Sequence, residues 1–193
     1  MRGRSVCVYC GSRDGRDPRY LQEAKALGQA LGEAGYGLVY GAGDLGMMGE
    51  TARAAQAAGA RIIGFIPRHL VEIEAGKPDL HAIVVTETMH ERKKLMFTNS
   101  DAVIALPGGP GTLDELIEVL TWRHLGLHAK PALLLNTAGY WNPLLALFDH
   151  MVAEGFMPVH VRDYLTVRDT VPALMAALDE ALGGERAGAA GAP

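Results

Sequence analysis

Residues 101–122 read DAVIALPGGPGTLDELIEVLTW and combine three features in direct succession. The apolar run 101–107 is typical of a strand that is buried on both faces of a sheet. Three glycines and two prolines fall within residues 107–111, and a helical pattern follows with Asp114 and Glu115 in its predicted first turn. A buried strand, a glycine-rich turn and a helix form the repeating unit of a parallel α/β sheet, which binds ligands beyond the carboxyl ends of its strands.

The same alternation extends over most of the chain. Apolar periodicity predicts strands at 5–11, 36–41, 61–67, 81–86, 101–107, 130–136 and 163–167, with helices at 17–34, 47–58, 89–100, from 112, at 140–155 and at 170–182. This pattern predicts an α/β fold with an open, doubly wound parallel sheet. We expect one domain over residues 1–183, a loop at 67–80 and a disordered Gly/Ala/Pro-rich tail at 184–193.

Composition excludes several classes of function. A net charge of -4 over 193 residues gives no electrostatic footprint for nucleic acid or an anionic membrane. No apolar run reaches the roughly 18 residues of a membrane span, and no secretory signal precedes the first strand, so we expect a cytoplasmic protein. Cys7 and Cys10 lie in a strand, where positions three apart face opposite sides, and we expect two buried thiols without zinc or redox function.

The first glycine loop, YGAGDLGMMGE at 40–50, follows a strand and opens a helix. Gly41, Gly43 and Gly46 match the G-x-G-x-x-G pattern of dinucleotide-binding proteins. That function also requires an acidic residue at the end of the next strand, where this chain has Ile66-Pro67-Arg68. Close packing of backbone against helix is therefore favoured over NAD binding.

The second glycine loop has two interpretations. Gly108, Gly109 and Gly111 permit backbone conformations that side chains forbid, so that successive N–H groups and the helix N-terminus form a phosphate site. Alternatively, Thr112 and Glu115 form an S/T-x-x-E capping box. Local sequence leaves both open.

The helix after this loop has an apolar stripe, made of Leu113, Leu116, Ile117 and Leu120. If that stripe faces the sheet, Glu115 lies at the helix mouth beside the phosphate site. A carboxylate repels a phosphate, so Glu115 either caps the helix or addresses another part of the ligand.

A cluster of charges opens the helix predicted at 89–100. Glu91, Arg92, Lys93 and Lys94 are contiguous and fan around the helix. Such a run is ordinarily a solvated turn, but at the carboxyl end of a strand its cations can also reach the same anion. These alternatives also remain open.

Together these segments resemble a known signature. Met89-His90-Glu91-Arg92-Lys93 and Pro107 to Glu115 resemble MHxRK…PGGxGTxxE, the pattern of the LOG family of cytokinin riboside 5'-monophosphate phosphoribohydrolases. The likeness covers roughly residues 5–170 and includes SVCVYCGS, LTWRHLGLHAKP and GYWNPLL. Ala42 departs from a glycine that is frequent in the family, and His69 from a carboxylate of plant members, which leaves base recognition open.

The resemblance implies a Rossmann-like fold and a homodimer or larger homo-oligomer. It implies hydrolysis of the N-glycosidic bond of an N6-modified or plain adenosine 5'-monophosphate, without metal or organic cofactor. The implied catalytic residues are Arg92 and Glu115. With the glycine loops, the candidate substrate-binding residues are Gly41, Gly43, Met89, Lys93, Gly108, Gly109, Gly111, Thr112, Asp114 and Thr121.

Two other functions compete with this hypothesis. A non-catalytic nucleotide or cofactor carrier on the same fold would bind without turnover. Lysine decarboxylase, a label often attached to members of the family, would require a lysine that holds pyridoxal phosphate, and no lysine has a persuasive setting for that role.

Overall fold

The computed structural model describes residues 3–71 and 82–188, with side chains described up to residue 183. The strands are β1 Ser5–Tyr9, β2 Gly37–Tyr40, β3 Ile62–Pro67, β4 Ala82–Thr86, β5 Ala102–Ala105, β6 Ala132–Leu135 and β7 Leu165–Arg168. The α-helices are α1 Arg19–Glu33, α2 Gly46–Ala57, α3 Met89–Thr98, α4 Pro110–His124, α5 Asn142–Ala153, α6 Val159–Arg162 and α7 Val171–Gly188. Short 3-10 helices span Arg68–Leu70 and Thr137–Gly139.

The seven strands form one parallel sheet in the order β4-β3-β2-β1-β5-β6-β7. This order confirms the predicted α/β, doubly wound parallel sheet. The chain builds outward in one direction from β1 to β4 and in the other from β5 to β7. The order therefore reverses between β1 and β5, and such a reversal is where open α/β sheets form a ligand crevice.

Helices cover both faces of the sheet because strand residues alternate in direction. Val6 and Val8 face a core shared with α1, α2 and α7. Cys7 and Tyr9 face the opposite core, shared with α3, α4 and α5. Cys10 belongs to the first core, so the prediction of two buried thiols on opposite faces is confirmed. The second core carries the helices that form the candidate site.

Some boundaries differ from the predictions. The four-residue α6 and both 3-10 helices were not predicted, and most of the loop predicted at 67–80 lies outside the described residues. α7 extends to Gly188, into the segment 184–193 expected to be disordered, and residues 189–193 are not described. The division into one domain and a tail stays a prediction. Among the described helices, none combines the length and apolarity that crossing a membrane requires.

Candidate active site

A crevice opens where the loops after β1 and β5 meet. The N–H of Gly11 donates to the carbonyl oxygen of Pro107 over 3.1 Å. A Cβ on Gly11 would lie 3.4 Å from the Cα of Gly108, so the two loops touch through their backbones. The cavity beside them measures about 570 Å³, within the roughly 300–1,000 Å³ of small-ligand sites.

Most of the predicted site residues line this one cavity. They are Gly41, Met89, Arg92, Gly108, Gly109, Gly111, Thr112, Asp114 and Glu115. Gly43, Lys93 and Thr121 are not part of its lining; Thr121 is exposed on the last turn of α4. Residues far apart in sequence thus converge because the three strands that precede them, β2, β4 and β5, end at the same edge of the parallel sheet.

α4 begins two residues earlier than the sequence analysis expects. Gly109 is the N-cap and Pro110 occupies the first turn, with no side-chain capping bond. Thr112 is therefore buried inside the helix, and Asp114 and Glu115 lie in the second turn. The capping-box interpretation is wrong for this helix, because the proposed cap residue is already helical.

The S/T-x-x-E pattern instead operates at the start of α3, where the glutamate reaches the residue before the N-cap rather than the N-cap itself. The Thr88 hydroxyl oxygen accepts from the N–H of Glu91 over 3.1 Å, and the Glu91 carboxylate accepts from the N–H of Glu87 over 2.8 Å. Thr88-Met-His-Glu91 matches the same S/T-x-x-E pattern, so the signal was present in the sequence. Glu91 thus serves the helix end, whereas Glu115 is not used as a cap.

The glycines of the second loop serve different purposes. A Cβ on Gly108 would lie 2.1 Å from the Thr112 hydroxyl oxygen, so internal packing requires this glycine. Gly109 and Gly111 have no heavy atom within 4 Å of an added Cβ, and neither has a positive φ. The prediction that these loop glycines adopt conformations forbidden to side chains is wrong. Their lack of side chains keeps the space above the helix start open.

Free backbone donors point out of this helix start. The first intrahelical bond runs from the N–H of Leu113 to the carbonyl of Gly109 over 3.2 Å. The N–H groups of Gly111 and Thr112 precede that bond, and Pro110 has no N–H. Among the described residues these two amides have no hydrogen-bond acceptor, and together with the positive end of the helix dipole they suit a phosphate.

Arg92 is held beneath the first glycine loop. Only 6% of the residue is exposed, and Nη2 donates to the carbonyl oxygen of Gly41 over 3.1 Å. A Cβ on Gly41 would lie 1.8 Å from that Nη2, so Gly41 makes room for the guanidinium group, which is a side chain and not the helix backbone that the packing interpretation names. Among the described residues, buried Nε of Arg92 has no hydrogen-bond partner. The solvated-turn interpretation is wrong for this arginine.

Glu115 has a partly buried carboxyl group whose pKa lies near 7. Burial raises its pKa from 4.5 to about 7, and the positive charge of Arg92 is the largest influence in the opposite direction. Within the described structure no direct ion pair joins Glu115 to Arg92. Arg92 therefore acts on Glu115 through its charge without a direct contact, and both residues line the same cavity.

Lys93, the residue after Arg92 in α3, is buried. Its Nζ lies 2.9 Å from a carboxylate oxygen of Asp114 and 2.9 Å from one of Glu118. Only 7% of the residue is exposed, so the solvated-turn interpretation is wrong for Lys93 as well. The lysine joins α3 to α4 beside the cavity.

Known proteins that are similar to this chain identify its family. A family model described as "possible lysine decarboxylase" matches residues 48–178. Cytokinin riboside 5'-monophosphate phosphoribohydrolase LOG of Oryza sativa subsp. japonica is 43% identical over 179 residues, which cover 93% of this chain and 74% of that protein. The chain belongs to the LOG family. A phosphoribohydrolase of the same name from Rhodococcoides fascians is 43% identical over 176 residues, covering 91% of this chain and 89% of that protein.

Solved structures share the fold of this LOG-family chain at lower identity. A Moco carrier protein from Chlamydomonas reinhardtii has a TM-score of 0.70 at 24% identity, covering 95% of this chain and 99% of that chain. A molybdenum cofactor binding protein from Rippkaea orientalis has a TM-score of 0.71 at 22% identity, covering 93% and 98%. At such identities the likeness establishes the fold alone.

The buried stripe of α4 differs from the predicted one in this LOG-family protein. Its buried residues are Thr112, Leu116, Val119 and Leu120. Ile117 is 39% exposed, although the sequence analysis places it in the core. The earlier helix start does not change the periodicity, so the difference reflects which side of the helix meets the sheet. Glu115 still lies at the cavity, on the flank of the buried stripe.

Several lining residues lie outside the family signature. The Tyr140 hydroxyl donates to the carbonyl oxygen of Gly108 over 2.7 Å, and its ring packs edge-on against Tyr20 with centroids 5.6 Å apart. Arg13, Met47 and Met48 also line the cavity. In the sequence, Tyr140 is indicated only by the resemblance of GYWNPLL to family sequence. No signal indicates Arg13, because a charged residue in a loop is ordinarily solvated.

The lysines do not support the decarboxylase hypothesis for this member of the LOG family. Among the described residues that line the cavity, none is a lysine. Lys93 is bound by two carboxylates, and Nζ of Lys130 donates to the carbonyl oxygens of Phe97 and Ser100, both over 2.6 Å.

Within the described part of the chain, no group of three or more His, Cys, Asp or Glu residues is arranged to hold a metal.

Proposed function

We propose that this protein hydrolyses the N-glycosidic bond of adenosine 5'-monophosphate or an N6-modified derivative, releasing the free base and ribose 5-phosphate. One observation carries the proposal: the free amides at the start of α4 and the Glu115 carboxyl group line the same cavity. The relatives named as cytokinin riboside 5'-monophosphate phosphoribohydrolases, at 43% identity, support the same reaction.

The 5'-phosphate is the part of the substrate that the loop accommodates. Gly109 and Gly111 leave space for it, and the N–H groups of Gly111 and Thr112 are free to donate. Arg13 lines the same cavity, and the backbone of Ser12 and Arg13 packs closely against Gly46. A dianion bound here holds the ribose at a fixed distance from Glu115, and such positioning contributes directly to the rate.

Glu115 and Arg92 supply the chemistry in this proposal. As the bond from C1' to the base nitrogen breaks, positive charge develops on the ribose, and an ionised carboxylate stabilises it. The carboxylate also orients a water, whose oxygen bonds to C1' as the bond from C1' to the base nitrogen breaks. The electron pair of the broken bond leaves with the base, and the proton lost by the water is accepted by the Glu115 carboxylate and passes to the departing base. Arg92 keeps part of the Glu115 population ionised near pH 7, because its positive charge lowers the pKa of that carboxyl group.

A carrier function without turnover is the competing candidate. The Moco-binding proteins share the fold at 22–24% identity, which does not extend to what they bind. A carrier needs a ligand site but no carboxyl group whose pKa is raised to about 7 beside it. The setting of Glu115 therefore favours the hydrolase.

The test measures base and ribose 5-phosphate released from adenosine 5'-monophosphate and from its N6-isopentenyl derivative. Glu115→Gln is expected to lower kcat by about 10²–10⁴-fold because it removes the ionisable carboxylate. Glu154→Gln, an exposed position after α5, is the matched control and should retain the wild-type rate. Base release that survives Glu115→Gln would contradict the mechanism, and wild-type binding without turnover would establish a carrier.

We also propose that the protein forms a homodimer or larger homo-oligomer, as the family resemblance implies. Leu125 and Leu127, directly after α4, are 64% and 68% exposed and are available for such an interface. Sedimentation equilibrium compares the mass in solution with the 20.6 kDa of one chain.

A further inference from the structure

Lys93 has an unusual position for a residue that the family resemblance assigns to the substrate. It follows Arg92 in α3, yet its Nζ is engaged by Asp114 and Glu118 of α4, at 2.9 Å from each. An ammonium group has three N–H donors, so these two carboxylates use most of its capacity. The lysine does not belong to the lining of the cavity.

We propose that Lys93 is a positioning residue, which fixes α4 against α3 so that Glu115 and Arg92 line the same cavity, and that it makes no substrate contact. The inference rests on the proposed hydrolase function. It differs from the substrate-binding role that the signature implies for Lys93, and it assigns Glu118 a part in the same arrangement.

The spacing of the ion pairs supports this role. Asp114 precedes Glu115, and Glu118 lies almost one helical turn after it, so Lys93 contacts α4 on both sides of Glu115 along the helix. Arg92, the adjacent residue of α3, is anchored in turn to the carbonyl of Gly41 after β2. Two consecutive residues thus connect the first glycine loop, α3 and α4.

The charge of the cluster argues against a role in phosphate binding. Lys93 contributes one positive charge, and Asp114 and Glu118 contribute two negative charges. The lysine side chain is only 9% exposed, whereas those of Asp114 and Glu118 are 59% and 26% exposed. A cluster with a net negative charge does not attract a phosphate dianion, but it does hold two helices together.

The same cluster influences the ionisation of Glu115. The charged groups that face Glu115 are Arg92 and Lys93 from α3 and Asp114 and Glu118 from α4. Cys7 and Tyr9 of β1 and Cys10 directly after it also lie nearby, and burial keeps them neutral by raising the pKa of each. Lys93 lowers the pKa of Glu115, whereas Asp114 and Glu118 raise it. Removal of Lys93 should therefore raise this pKa, and removal of Glu118 should lower it.

The experiment compares Lys93→Met, Lys93→Arg and Glu118→Gln with Lys94→Met, a control at the next, exposed position. For adenosine 5'-monophosphate we measure kcat and KM across pH 5–9, and the Kd by calorimetry. Lys93→Met should lower kcat by about 10–100-fold, since a misplaced group loses rate without losing affinity, and should change Kd less than about threefold. The acidic limb of the kcat–pH profile of Lys93→Met should move to higher pH. Lys93→Arg should restore part of the rate that Lys93→Met loses.

The opposite pH shift distinguishes positioning from general damage to the fold. In Glu118→Gln the acidic limb of kcat should move to lower pH, although this variant also loses one ion pair. A kcat in Glu118→Gln that equals the wild-type value at every pH overturns the proposal, including the case in which Lys93→Met does not fold. A Kd raised more than about tenfold in Lys93→Met, with kcat unchanged at saturation, establishes a substrate contact and also overturns it.

Failure of the proposed function gives a different result. A wild-type protein that binds the nucleotide without releasing base contradicts the hydrolase. The Kd of Lys93→Met still decides then whether Lys93 contacts the ligand.

Discussion

Arg92 and Glu115 are both placed where burial opposes their charge. Arg92 is 6% exposed and its Nε has no partner among the described residues, although a buried donor without a partner costs about 1–3 kcal/mol. Glu115 has its pKa raised to about 7, chiefly by burial. Burial of charged groups at a reactive site lowers the stability of the folded protein. This loss can be measured as a change in the free energy of unfolding of the protein without ligand.

We predict that Glu115→Gln stabilises the protein above pH 7. The folded-state pKa of about 7 exceeds the ordinary 4.5, so the contribution of Glu115 to stability is fully present below pH 4.5 and is lost as the pH rises through 7. Glutamine does not ionise and escapes this loss. The expected gain is about 1–3 kcal/mol at pH 8, discounted for partial exposure, and close to zero at pH 4.5.

Urea unfolding at pH 5, 6.5 and 8 measures this gain, with Glu154→Gln as the exposed control. An equal change in the free energy of unfolding at all three pH values would show that Glu115 is not the group whose burial matters. Loss of activity together with a pH-dependent gain in stability would instead connect both properties to one ionisation.

The residues of the signature were predictable, but their partners were not. Arg92, Glu115 and the loop from Gly108 to Thr112 line one cavity, as their spacing beyond two strand ends suggests. The ion pairs of Lys93 depend on how α3 packs against α4, which no local pattern reports. Arg13 enters the cavity through the path of a loop, and a charged loop residue has no periodicity to reveal that path.

The start of α4 shows how one local rule overrides another. A Thr-x-x-Glu pattern indicates a cap at Thr112, but Pro110 is also a strong signal for the first turn of a helix. The structure follows the proline, with Gly109 as N-cap. The consequence is functional, because a Thr112 cap would have engaged Glu115, whereas the observed start leaves this carboxyl group at the cavity.

The first glycine loop is explained by the guanidinium group beneath it. We predict that Gly41→Ala destabilises the protein by about 1–3 kcal/mol and abolishes catalysis, because the added Cβ would lie 1.8 Å from Nη2 of Arg92. In the Arg92→Ala background the same substitution should lower the free energy of unfolding much less, because the guanidinium group no longer occupies the space that the added Cβ needs. Urea unfolding of the four proteins of this double-mutant cycle measures the coupling.

Gly43→Ala is the matched control for this loop. Its Cβ would meet the terminal methyl of Met48 at 2.7 Å, and the flexible end of a methionine moves at little cost. A loss of stability in Gly41→Ala that persists unchanged without the arginine side chain would refute the steric explanation and favour direct approach of a ligand to Gly41.

The parallel sheet was predictable because buried strands and helices alternate along the entire described chain. Continuous Val, Ile and Leu runs identify strands that are covered on both faces, and each of the seven lies within a few residues of its predicted position. The strand order was not predicted, since it depends on packing between elements distant in sequence. The four-residue α6 is too short to generate a helical period.

The two cysteines offer a probe of how cooperatively this sheet unfolds. Cys7 is fully buried in one core and Cys10 is 8% exposed in the other, and burial raises the pKa of both thiols. Only an exposed thiolate reacts rapidly with a disulfide reagent, so labelling of the native protein should require opening. Since Cys10 also lines the cavity and Cys7 does not, a Cys10→Ala variant isolates the thiol that a ligand does not cover.

We predict that Cys7 in this variant is labelled at a rate that increases with urea as steeply as global unfolding does. Adenosine 5'-monophosphate at about 100 times its Kd should slow the labelling by about 100-fold, because it binds only the folded state. Labelling that is fast without urea and insensitive to the nucleotide would contradict this expectation. It would mean that β1 separates from its neighbours β2 and β5 on its own, and the crevice between β1 and β5 would then not be preformed.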